Sequence, residues 1–168
     1  MEYLQYTPSK WEKAFASERD NILFCIPNIK LNVEHIGATS IPNCRTFRNV
    51  DILVSVHNFV DISTVSMLLQ SKEYREIKEL STIDCVVLVK KQKVYGCGIT
   101  VRVVEYASMI YRRIMAFKQI LRSSFDRAIK YNQFRETLFE KYHTDIKKYN
   151  EAKYDYINSL IDERYKFE

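Results

Sequence analysis

A carboxylate, a glycine turn and a pair of hydroxyls stand close together in this chain, and together they could hold a phosphate group. The segment Asn32–Pro42 runs as an apolar-alternating strand into Gly37, followed by Thr39 and Ser40. A second and more apolar strand, Asn49–Val56, carries Asp51. A turn of this kind can aim backbone N–H groups and hydroxyls at phosphate oxygens, and a carboxylate on the next strand can hold a counter-ion. Gly37 is required by the tight turn whether or not a ligand binds. Thr39 and Ser40 either face that ligand or cap the helical turn that follows. Asp51 sits among Val, Ile and Leu, where a carboxylate is costly unless it has a metal, a cation or hydrogen bonds. It therefore belongs to a site, or it pairs with Arg48 or Arg102.

The layout resembles the nucleotidyltransferase superfamily, in which a Gly-Ser turn precedes an Asp-x-Asp strand. More closely, it resembles the GrpB family, whose pattern reads roughly E-H-I-G-S-T-S-V-P-G and then, after a spacer, K-P-I-I-D-I. Glu34, His35, Ile36, Gly37, Thr39, Ser40, Pro42, Asp51 and Ile52 fit it in register. Phe117, Leu121 and Arg122, then Tyr131, Tyr149, Ala152 and Lys153, resemble the later motifs, so the likeness covers nearly the whole chain. It implies a nucleotidyltransferase-like α+β fold, with Asp51 as the catalytic and metal-binding carboxylate. Ala38, Asn43, Phe47 and Arg48 depart from the pattern. So does Asn49, which stands where the first of two paired aspartates would be. The superfamily holds two divalent cations between carboxylates, and the strand expected to carry the third, Ile99–Glu105, has Arg102 instead. Magnesium is thus the cofactor that the resemblance implies, and Asn49 and Arg102 argue against it.

Positive charge is concentrated towards the C-terminus. Between Ile110 and Lys153 there are eleven basic residues against five acidic ones, within a chain of net charge +5. Arg102, Arg122 and Arg135, with Lys153, are candidates to bring that charge to the Gly37 cleft. Arg127, Tyr131 and Arg135 share one helical face, as do Lys118 and Arg122. Arginine interleaved with aromatic rings suits a solvated helix, a nucleotide or single-stranded RNA. His35 shares a strand face with Val33 and is either a hydrogen-bonded core residue or part of the site. Glu34 points the other way, towards the basic helices. His57 and His143 fit no motif and read as surface residues.

The elements that must position these residues are legible from periodicity. Ser9-Lys10-Trp11-Glu12 fits a capping box opening a helix that ends before Pro27. Strands follow at 30–36 and 50–56, then a helix at 60–71 with Val65, Leu68 and Leu69 inward. Three strands are expected at 74–80, 83–90 and 99–106, the last two joined through Tyr95-Gly96-Cys97-Gly98. From Ser108 onward the chain reads as helical, with breaks near Ser123-Ser124 and His143-Thr144-Asp145.

The 168 residues and 46% hydrophobic content suit one domain, 1–168. Cys25, Cys44, Cys85 and Cys97 lack metal-ligand spacing and read as buried thiols, with Cys85 and Cys97 able to face each other across the hairpin. There is no apolar run of membrane-spanning length, and Met1–Gln5 lacks a signal-peptide pattern. A cytoplasmic protein is expected. Its partner should be a nucleotide or another phosphorylated small molecule, with weak nucleotidyl transfer as the attendant activity. An RNA-binding or interaction module built on the basic helices is the alternative.

Overall fold

The computed structural model describes residues 8–42 and 44–165, so Asn43 and the Met1–Gln5 start lie outside the described residues. The elements run α1 (Pro8–Cys25), β1 (Leu31–Ile36), a 3-10 turn (Ala38–Ser40), β2 (Asn49–Val56), α2 (Asp61–Gln70), β3 (Arg75–Glu76), a second 3-10 turn (Lys78–Leu80), β4 (Cys85–Gln92), β5 (Cys97–Glu105), α3 (Met109–Arg122), α4 (Phe125–Tyr142) and α5 (Ile146–Tyr165). The strands form one mixed sheet in the order β1-β2-β5-β4-β3. Only β2 and β5 run parallel; the other neighbours are antiparallel.

Alternation splits the sheet into two faces. Val50, Ile52, Val54 and Val56 of β2 turn towards α1 and α2, where Trp11, Ile22, Val65 and Leu69 complete the larger core. Leu53, Val87 and Val104 turn the other way, against Ile110, Tyr111 and Ile114 of α3. Each fully buried aliphatic side chain of this kind contributes about 1.5–3 kcal/mol. Asp51 lies two residues before Leu53 and shares its face, beneath the C-terminal helices.

The serines and the aspartate that break the helical run serve as caps. Ser108 accepts from the Tyr111 N–H at 3.2 Å, Ser124 from the Arg127 N–H at 3.4 Å, and Asp145 from the Lys148 N–H at 3.1 Å. Each such cap typically stabilises a helix start by about 1 kcal/mol, and together they fix where α3, α4 and α5 turn.

Several expectations are corrected. Helix α1 begins at Pro8, so Ser9 lies inside it rather than at its cap; proline's fixed φ suits the first helical position. The strand expected at 74–80 shrinks to Arg75–Glu76 before a 3-10 turn. Leu68 is 39% exposed and does not face the core. In the β4–β5 hairpin only Gly96 uses a positive φ; Gly98 is an ordinary strand residue. Cys85 and Cys97 do not face each other. Cys85 pairs with Val104 and Cys97 with Gln92, at opposite ends of the ladder, and all four cysteines are free thiols. No described helix is long and apolar enough to cross a membrane.

Candidate functional site

The pairing register decides which side chains meet Asp51. Its neighbours are Ile36 on β1 and Thr100 on β5, while Arg102 stands one step along, beside Leu53. Asn49, Asp51, Thr100 and Arg102 therefore project from one face of two parallel strands. Gly37 closes the other side. A Cβ placed there would lie 2.4 Å from Asp51 Oδ2, and its φ of +69° is one that side-chain-bearing residues avoid. The glycine is thus needed twice, for the turn and for the approach of the carboxylate.

Asp51 is crowded by cations without being tightly bound by any. The Asn49 amide donates to Oδ1 at 3.2 Å and to the Thr100 hydroxyl at 3.1 Å, and the nearest guanidinium nitrogen of Arg102 is 3.9 Å away. Although 30% of its side chain is exposed, burial of the carboxyl raises its pKa, with Arg102, Lys153 and Arg135 pulling in the opposite direction. Lys153 of α5 has its pKa lowered by burial, with Arg135 and Arg102 adding to the lowering and Asp51 opposing it. Its ammonium stands 5.7 Å from the centre of the Tyr149 ring. The hydroxyl of Tyr149 is buried without a hydrogen-bond partner. Arg135 is almost fully buried. It donates to the Arg45 carbonyl at 2.9 Å and lies over the rings of Phe47 and Tyr131.

The remaining candidates gather elsewhere. His35 faces α1, where its ring stacks on Phe15 at 4.7 Å. Its Nε2 is 2.8 Å from the Thr39 hydroxyl. The Ser40 hydroxyl donates to the Gly37 carbonyl at 2.8 Å, and Arg122 donates to the Ser40 carbonyl at 2.7 Å. Glu34 faces α3, accepting from Tyr111 at 3.1 Å and pairing with Lys118 at 3.4 Å. Apart from Glu34, the sequence-derived set divides in two. Gly37, Asp51, Arg102, Arg135, Tyr131 and Lys153 form one cluster; His35, Thr39, Ser40 and Arg122 form another around the turn. Sequence reasoning passed over Thr100, although the alternation of Ile99, Val101 and Val103 puts Thr100 on the same face as Arg102. A wider recess of about 460 Å³ runs beside β1 between Arg19, Leu23, Tyr106 and Tyr111 and does not reach Asp51.

The residues around Asp51 do not fit a two-metal centre. Among the described residues Asp51 is the one carboxylate there, Asn49 turns its N–H towards it while its oxygen lies 3.4 Å from the Thr100 hydroxyl, and two cationic side chains crowd the space a metal would need. Among the described residues no three His, Cys, Asp or Glu side chains come together in a group that could hold a metal ion.

A family model described as GrpB protein matches residues 3–163. A UPF0157 protein of Streptomyces coelicolor is 25% identical over 153 residues, which span 90% of this chain and 78% of that one. The crystal structure of conserved protein GrpB from Enterococcus faecalis superposes with a TM-score of 0.81 at 23% identity, covering 99% of this chain and 100% of that one. The Cid1 poly(U) polymerase bound to MgATP shares the fold at a TM-score of 0.56 and 9% identity, over 82% of this chain and 44% of the polymerase. The sheet and its flanking helices are therefore nucleotidyltransferase-like.

Proposed function

Because the chain belongs to the GrpB family, we propose that it uses its nucleotidyltransferase-like fold to bind a phosphorylated ligand, a nucleotide, over the Asp51 face of the sheet. Fixed cations supply there the charge compensation that divalent metal supplies in a two-metal enzyme. The observation that carries this reading is that Arg102 and Lys153 surround a single carboxylate without forming a close ion pair with it. Arg102 keeps 35% of its side chain exposed, so part of its guanidinium can reach a ligand, and guanidinium grips phosphate through two parallel hydrogen bonds. The unpartnered Tyr149 hydroxyl is a further donor nearby. Asp51 then offsets part of the charge of Arg102 and Lys153 rather than carrying a metal, and nucleotidyl transfer is at most weak.

Thermal-shift titrations with nucleoside triphosphates and with short RNA, with and without magnesium, test the reading on the wild type and on Arg102→Ala. A shift by nucleotide that persists without metal and shrinks in the variant is expected. Equal responses from both proteins would make Arg102 structural. A salt-sensitive response to RNA alone would favour a nucleic-acid-binding module on the basic helices.

A further inference from the structure

We propose that the second cluster, at the far side of the Gly37 turn, is a separate binding site for one tetrahedral oxyanion, a phosphate monoester group. It is a cavity of about 110 Å³ lined by Glu12, His35, Thr39, Ser40, Pro42, Lys118 and Arg122. That volume is well below the roughly 300–1,000 Å³ of pockets that take whole small molecules, and it suits a group the size of phosphate. The site does not depend on the ligand proposed for Asp51.

Its walls are built for an anion. Arg122 spends one nitrogen on the Ser40 carbonyl at 2.7 Å, which orients the guanidinium and leaves its other N–H groups for the cavity. Lys118 enters from the same helix one turn earlier, pairing only loosely with Glu34 at 3.4 Å. Thr39 is 3% exposed and bonded at 2.8 Å to His35 Nε2. When the ring donates in that bond, the threonine O–H is free to donate to an oxyanion. Among the described residues Glu12 is the one acidic group lining the cavity, and it is exposed, so solvent screens its repulsion; Glu34 lies outside the lining, against Lys118. The His35 pKa is lowered to about 4 by burial and by Lys118 and Arg122, so the imidazole is neutral near pH 7. The positive charge at the cavity comes from Arg122 and Lys118, the latter shared with Glu34.

The reporter is His35 itself. Its imidazole signals are followed by NMR while inorganic phosphate, and separately adenosine monophosphate, is titrated into the protein. Saturable movement of those signals is expected, with Arg122→Gln weakening the response about tenfold or more. Lys118→Gln, which leaves the turn's hydrogen bonds intact, should weaken it severalfold. Arg102→Gln should leave it unchanged, which separates this site from the one over Asp51. A stronger response to the nucleotide assigns the cavity to the end of a larger ligand, and an equal one assigns it to the free anion. Unmoved His35 signals, or affinities unchanged in both Arg122→Gln and Lys118→Gln, would overturn the proposal.

Discussion

Glu18 and Asp51 are carboxylates pressed against opposite faces of the same sheet, and their surroundings differ in one respect. Glu18 is fully buried. Its Oε1 accepts from the Tyr74 hydroxyl at 2.5 Å and from Lys90 at 2.8 Å, and its Oε2 accepts from Gln92 at 3.1 Å. Tyr74, Lys90 and Gln92 each donate to the carboxylate, and the Tyr74 pKa is raised by burial and by that bond. Asp51 stands among more positive charge, from Arg102, Lys153 and Arg135, but takes only the Asn49 amide at 3.2 Å and a distant Arg102 at 3.9 Å. A saturated network locks a fold; an under-used set of cations is available to a ligand. On the proposed reading, the same residue chemistry serves structure on one face and recognition on the other.

The sharpest way to break that contrast is to remove each group in turn. Glu18→Ala strands Lys90, Tyr74 and Gln92 in the core and should cost about 3–5 kcal/mol, read by urea unfolding, while leaving ligand recognition intact in the folded fraction. Arg102→Ala should do the reverse. Nucleotide binding weakens by about 1.5–3 kcal/mol, measured by calorimetry, and stability changes by no more than about 0.5 kcal/mol. If it unfolds the protein as Glu18→Ala does, the two faces are alike. Gly37→Ala forces a side chain to a φ of +69° and into the Asp51 carboxylate, and should lower stability by about 1–3 kcal/mol as well as weakening binding.

Asp51→Asn should have the smallest effect on stability. Burial raises the Asp51 pKa above its unfolded value, so the folded chain holds that proton to higher pH than the unfolded chain does. The carboxyl then contributes most at pH below the unfolded pKa, and its contribution falls as pH rises through the folded one. At neutral pH the amide should therefore melt no lower than the wild type, and the pH dependence of melting above about pH 4 should flatten. A large loss on Asp51→Asn would show that Asp51 is ion-paired as firmly as Glu18.

The sequence made most of this arrangement legible where a single period governed the chain. Val50–Val56 is apolar except at Asp51 and Ser55 and reads as a buried strand, and Ser124 and Asp145 stop their helices because their side chains cap the next ones. The Tyr74–Leu80 segment misled because its alternation is real but only Arg75 and Glu76 find a partner, β4. The site was half legible. Asp51 and Gly37 are juxtaposed by the antiparallel register of β1 and β2, which pairs Asp51 with Ile36. The division between the Asp51 and His35 clusters was hidden, because it depends on which way the turn carries Thr39 and Ser40 around the sheet edge. Glu18 gave no signal at all, since its partners Tyr74, Lys90 and Gln92 are far from it in the chain.

Calorimetric titration of a nucleoside triphosphate into the wild-type protein, once in chelator and once in excess magnesium, tests most directly whether Arg102 and Lys153 stand in for metal. Comparable affinity in both conditions, lost in Arg102→Ala, is the predicted result. Binding that appears only with magnesium, and disappears on Asp51→Asn, would contradict it and make Asp51 a metal ligand.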